Sequence, residues 1–245
     1  MKLIPFLLIL LSISSYSKVC NLEEGLTKKQ IKALKSARRI DRIGPNRALL
    51  GKDVYTVDIL SNDQNEMLVL LGEAHIKGPR SAIIGKRVAK RFKFRMLEGV
   101  PAAEVKYLFE NFPEMKAGLG WGRIVARVLT FNFFGSTISA ADRRGLSYKD
   151  DKNAVQILAA LENDQNTKKA KKGINLPLEV GEFLTPDTTD NYILDARNIR
   201  MVDNINTYLS NDVVDETPLV IVGAAHNPGM IELLKDNKYE KCSNF

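Results

Sequence analysis

A chain of 245 residues, 44% of them hydrophobic and 27% charged, can bury a full core in one domain, and its composition excludes wholesale disorder. Its net charge of +7 is a moderate excess, and zinc-finger, RNP and helix-turn-helix patterns are missing, which argues against a nucleic-acid partner. Past the first few residues no stretch is long and apolar enough to span a membrane.

The chain opens with Lys2, an apolar stretch from Leu3 to Ile13 and then Ser14-Ser15-Tyr16-Ser17. A basic residue, a short apolar core and small residues at the end read as an export signal over residues 1–17. The expectation is therefore one domain over residues 18–245, exported to the periplasm or secreted, with net charge +6 once Lys2 is removed. An uncleaved N-terminal anchor is the alternative. A lipid anchor on Cys20 is disfavoured, because Lys18 and Val19 precede it where lipoprotein signals place small residues. Cys20 and Cys242 are the only cysteines. In an oxidising compartment such a pair points to a disulfide that ties the two ends together, with two inert thiols as the alternative.

Residues 22–43 carry helical periodicity. Tyr55 to Leu60, a polar Ser61-Asn62-Asp63 turn and Met67 to Leu71 predict a β-hairpin. Ile84, Val88 and Phe92 recur every four residues and are flanked by Lys86, Arg87, Lys90, Arg91 and Lys93, the pattern of an amphipathic basic helix. Such a face is ordinarily just solvated, and contact with an acidic membrane surface is the less favoured reading. Phe94 to Leu97 predicts a strand ending at Glu98. Helix is expected over 102–129, interrupted by Pro113 and the glycines around Trp121, then a short strand over 136–141. A helix over 153–163, a polar loop around 167–173, a helix over 191–209, a buried strand over 219–222 and a helix over 229–235 complete the chain. Strands alternating with helices predict an α/β domain, a central mixed sheet flanked by helices.

Two histidines are present, and both occupy the same local context: MLVLLGEAH ends at His75 and PLVIVGAAH at His226, 151 residues later. Each is an apolar run, a glycine (Gly72, Gly223) and a histidine three positions on. A run of Leu, Val and Ile that stops at glycine reads as a strand buried on both faces and followed by a turn. Both imidazoles then emerge at carboxyl ends of central strands, where open α/β sheets carry their ligand chemistry.

These two GxxH units resemble the paired motifs of the TraB/GumN/Tiki superfamily, whose wider relatives include the ChaN-like and erythromycin-esterase-like proteins. Met96-Leu97-Glu98, Ala141-Asp142-Arg143 and Ala196-Arg197-Asn198-Ile199-Arg200-Met201 follow in the order of that family's intermediate landmarks, so that the resemblance covers about residues 54–236. It implies an α/β fold and, in the Tiki branch, metal-dependent peptidase activity. Its histidines fall on His75 and His226, its glutamate on Glu98 and its arginine on Arg200. Glu73, within Gly72-Glu73-Ala74-His75, is closer to the ChaN and esterase-like branches.

The residues support that chemistry directly. Two imidazoles with a carboxylate suit zinc, manganese or a similar divalent ion, which lowers the pKa of a bound water and polarises a carbonyl. His75, His226 and Glu98 are the candidate ligands. Glu98 or Glu73 is the third ligand or the general base, and Arg200 suits an oxyanion or a substrate carboxylate. No HExxH, GxSxG or Cys-His arrangement competes. The expectation is a metal-dependent hydrolase acting on a peptide or other small amide or ester substrate. The alternative is a non-catalytic envelope protein holding haem, a metal or another ligand. Asp142 and Arg143 read as structural, and Trp121 as core or as a substrate platform. The decisive expectation is that His75 and His226 lie side by side with Glu98 bordering them and Glu73 or Arg200 completing the crevice.

Overall fold

A computed structural model describes residues 18–38, 55–73, 79–98, 153–163, 173–181 and 194–245. In chain order its elements are α1 (Leu22–Gly25), α2 (Lys28–Arg38), β1 (Tyr55–Ser61), β2 (Met67–Glu73), α3 (Pro79–Ala89), β3 (Phe94–Leu97), α4 (Ala154–Asn163), β4 (Ile174–Pro177), α5 (Asp195–Leu209), β5 (Leu219–Gly223), α6 (Asn227–Asp236) and β6 (Glu240–Lys241). The six strands form one mixed sheet in the order β4-β3-β5-β2-β1-β6. β4, β3, β5 and β2 run parallel, whereas β1 is antiparallel to both β2 and β6. The expected α/β architecture is the observed one.

The two central strands are apolar up to their glycines, Gly72 and Gly223, because helices cover both faces. Every residue of β2 and of β5 is buried. Leu68, Leu70, Val220, Val222 and Met96 face one core together with Ile157 of α4, Met201 and Ile205 of α5 and Leu234 of α6. Val69, Leu71, Leu219 and Ile221 alternate to the other face, against Leu34 of α2 and Val88 and Phe92 of the α3 segment. The basic residues Lys86, Arg87, Lys90 and Arg91 are exposed, as the periodicity requires, and Lys93 pairs with Asp215 at 2.6 Å.

The expected helix over 22–43 is two helices across its described part. Thr27 starts α2: its Oγ1 accepts from the Gln30 amide and its own amide donates to Gln30 Oε1. That capping box closes the new helix and breaks the old one. Asn153 and Gln156 make the same reciprocal pair at the start of α4. The last helix begins at Asn227, two residues earlier than expected, because Pro228 falls in its first turn, where no amide is needed. β4 and β6 were not expected. β4 is four residues long, sits at the sheet edge and ends at Pro177, a position where a missing amide is tolerated. The predicted elements over 102–129 and 136–141 lie outside the described residues, as do the segment 1–17 and Trp121, Asp142 and Arg143.

Cys20 and Cys242 form the expected disulfide, with Cα atoms 5.4 Å apart. Backbone contacts reinforce it: Ser243 N donates to Lys18 O, Cys242 N to Ile59 O, and Asn244 Nδ2 to Cys20 O. Among the described residues no helix is long and apolar enough to cross a membrane.

Candidate functional site

The parallel strands β2, β3, β4 and β5 all end on the same edge of the sheet, so the residues just past them meet there. Glu98 follows β3, Glu179 follows β4 and His226 follows β5. α5 lies over the same edge and is fastened to it at turn-spaced positions: Tyr208 Oη donates to Pro177 O, Asn204 Nδ2 to Leu178 O, and Arg197 to Glu179. Helical spacing of 197, 204 and 208 thus aims the first turn of α5 at the strand ends.

Glu98 is the hub. Its Oε1 accepts from Arg197 Nη2 at 2.7 Å and its Oε2 from the Gly223 amide at 2.5 Å. His226 Nε2 lies 3.4 Å from the same Oε1. Burial alone would raise this carboxyl, but the His226 ring when it carries a proton on Nε2, the Arg197 guanidinium and the Gly223 amide hold it well below the usual carboxylate range. Glu179 differs. Its side chain is fully enclosed, and burial, with the Glu98 charge adding to it, keeps its carboxyl above the ordinary value although Arg197 pulls the other way. Arg197 bridges the two carboxylates, Nε and Nη2 to Glu179 at 2.5 and 3.0 Å and Nη2 to Glu98. Desolvation disfavours its charge, yet the two glutamates more than compensate and raise its pKa further.

His226 is 3% exposed. Its backbone is fixed on both sides, the amide donating to Gly223 O and the carbonyl accepting from Met230 N. Its Nδ1 lies 2.7 Å from Asn198 Oδ1, on the first turn of α5. The next residue, Asn227, reaches the other way: Nδ2 donates to Thr56 Oγ1 at 2.8 Å and to Asp58 Oδ2 at 3.3 Å, and Asp58 in turn pairs with Lys241. This packing explains the glycine of the first GxxH unit. A Cβ on Gly72 would stand 2.2 Å from Thr56 Oγ1, 2.8 Å from Asn227 Oδ1 and 3.0 Å from the Ala224 backbone.

Of the sequence-predicted residues, His226 and Glu98 are brought together. Glu73 is 4% exposed and pairs in register with Gly223, but strand alternation places it with Val69 and Leu71 on the face away from α5. Glu98, not Glu73, is the carboxylate beside His226. Arg200 reaches Glu179 at 3.5 Å, and the arginine that meets Glu98 is Arg197, one turn earlier. His75 lies outside the described residues, so the predicted pairing of the histidines does too. Sequence reasoning did not single out Arg197, Asn198 or Glu179. Arg197 and Asn198 stood inside the recognised Ala196–Met201 segment, where i and i+3 spacing gives Arg197 the same face as Arg200; Glu179 carried no motif.

The donor types suit a divalent ion. His226 Nε2 and Glu98 Oε1 are 3.4 Å apart, the separation at which two arms of about 2.1 Å meet near the tetrahedral angle. Among the described residues no group of three His, Cys, Asp or Glu is placed to hold a metal. These features define an α/β protein with a buried His-Glu-Arg-Glu network at the carboxyl edge of its parallel strands. No protein-family model, curated protein or solved structure matches the chain.

Proposed function

We propose that the protein is an exported hydrolase of peptide or related amide and ester bonds, with His226 and Glu98 at the centre of its site. The observation that carries this reading is the facing pair His226 Nε2 and Glu98 Oε1, 3.4 Å apart at the end of two adjacent parallel strands. With Nδ1 donating to Asn198, the neutral ring turns a lone pair toward an ionised carboxylate. Two acceptors so placed are complemented by a cation or by the protons of a water, which are the two ways such a pair activates water. The resemblance of the two GxxH units to the TraB/GumN/Tiki superfamily supports the same reading, as does the disulfide for an exported protein.

In the metal-dependent form, His226, Glu98 and His75 would hold a zinc, manganese or similar ion. Bound there, it would polarise the scissile carbonyl and supply a water of lowered pKa. Arg197 holds Glu98 in its ionised form and fixes its orientation, and the Gly223 amide fixes its second oxygen. A second, metal-free reading is favoured by those same two contacts, which already engage both Glu98 oxygens: His226 takes the proton from water and Glu98 steadies the resulting imidazolium.

Metal analysis of the purified protein, paired with hydrolysis of a panel of peptide, amide and ester substrates, tests the proposal. Stoichiometric metal lost in His226→Ala, with chelator-sensitive turnover, supports the metal form. Turnover that survives chelation and is abolished in His226→Ala supports the metal-free one. If neither metal nor turnover is found, or if turnover survives in both His226→Ala and Glu98→Gln, the hydrolase proposal fails.

A further inference from the structure

We propose that Asn198 is a positioning residue for His226, one that sets which ring nitrogen carries the proton. The inference rests on the hydrolase reading only in its kinetic arm; the assignment of the proton stands on geometry alone. Asn198 Oδ1 lies 2.7 Å from His226 Nδ1, and both residues are 3% exposed, so water does not compete for the contact. An amide oxygen only accepts. Glu98 Oε1 also accepts but stands 3.4 Å from Nε2, so the shorter contact holds the proton of the neutral ring on Nδ1 and leaves the lone pair on Nε2. A histidine held this way has its reactive nitrogen chosen by the hydrogen bond of the other.

The neighbouring packing confines the amide. The Asn198 backbone is anchored by its own amide, which donates to Leu194 O at 2.8 Å. Its Nδ2 is turned toward the start of α6, where a Cβ on Gly229 would come within 2.4 Å of it. A side chain at 229 would push the Asn198 amide from its place beside the ring. The His226 backbone is fixed by its contacts to Gly223 and Met230, so rotation of the ring and its tautomer are the freedoms that remain, and Asn198 restricts both. Residues 198, 226 and 229 thus form a unit that spans the α5–α6 contact and ends on the imidazole.

The chain has two histidines, so long-range proton–nitrogen correlation on the full ¹⁵N-labelled, chelator-treated protein shows two imidazole spin systems, assigned with His75→Gln. For the neutral His226 ring, the expected pattern is a pyrrole-like Nδ1 and a pyridine-like Nε2. In Asn198→Ala the pattern reverses to the Nε2-protonated form that free imidazole side chains favour. Asn198→Asp keeps an acceptor and keeps the original pattern. Gly229→Ala, which displaces the amide without removing it, shifts the pattern part of the way. On a substrate found by the hydrolysis panel, Asn198→Ala lowers kcat about 10–100-fold with KM little changed, the usual loss when an orienting partner is removed, and Asn198→Asp restores most of it. A wild-type ring protonated on Nε2 overturns the proposal, and so does an unchanged pattern in folded Asn198→Ala. Should the panel find no turnover, the tautomer patterns still decide the role of Asn198, while the hydrolase reading falls separately.

Discussion

Replacing Arg197 with methionine removes the side chain that bridges Glu98 and Glu179. It donates two hydrogen bonds to Glu179, at 2.5 and 3.0 Å, and one to Glu98 at 2.7 Å. The Glu179 side chain is fully enclosed, and among the described residues Arg200, at 3.5 Å, is its remaining nearby cation. Removing one partner of a buried ion pair costs about 3–5 kcal/mol, since the other charge stays desolvated. At a urea slope near 3 kcal/mol/M this lowers the unfolding midpoint by about 1–2 M. The loss has a defined pH dependence. Burial already raises the Glu179 carboxyl above its ordinary 4.5, and without Arg197 it rises further. A raised carboxyl contributes its stability below the unfolded value and loses it as pH rises through the folded one. The deficit of Arg197→Met is therefore full at pH 8 and shrinks toward pH 4.5, where a neutral Glu179 needs no counter-charge. Arg197→Met combined with Glu179→Met recovers most of the lost stability, because an apolar pair replaces the ionic one. Urea unfolding followed by circular dichroism at both pH values reads all of this. A deficit below about 1 kcal/mol at pH 8, or one that does not change with pH, refutes the assignment of Arg197 as the counter-charge of Glu179.

The disulfide closes a loop with a sequence separation of 222, and the chain-entropy relation puts its contribution at about 5 kcal/mol; Cys20→Ser with Cys242→Ser should lower the urea midpoint accordingly, and a change under about 1 kcal/mol would show that the unfolded chain is not constrained by it. Gly72→Ala should cost about 1–3 kcal/mol, since its Cβ meets Thr56 Oγ1 and the Ala224 backbone; adding Thr56→Ala should recover part of the loss but not all, because the backbone contact remains, and a fully stable Gly72→Ala would contradict the close approach of β2 to α6. Burial, with the Glu66 charge adding to it, pushes the Tyr239 hydroxyl up to about 12, so its stabilising effect is full below the ordinary 10 and is lost as pH rises through 12; Tyr239→Phe should remove one step near pH 12 from the alkaline tyrosinate titration and flatten the loss of stability in that window. Reversing the exposed charges of Lys86, Arg87, Lys90 and Arg91 singly should change stability by no more than about 0.5 kcal/mol, and a larger loss would mean that this face is not simply solvated.

The sequence determined the sheet's central strands, its layers and the strand ends at which Glu98 and His226 meet. Apolar runs ending at Gly72 and Gly223 specify strands covered on both faces, a periodicity of four specifies the exposed basic face of α3, and the position of Glu98 at the end of its strand follows from a short apolar run that stops at a carboxylate. The disulfide followed from the presence of just two cysteines, Cys20 and Cys242, far apart in sequence. Tertiary structure alone decided the partners. Arg197 and Arg200 are one turn apart on the same helix face, and only the docking of α5 over the strand ends chooses Arg197 for Glu98 and both for Glu179. The edge strand β4 has too few residues and too weak an alternation to announce itself, and it is a strand because β3 offers it a ladder. Asn198 meets His226 across 28 positions of sequence. No local pattern encodes that contact, because it depends on how closely α6 approaches α5, which Gly229 permits and the packed core beneath enforces.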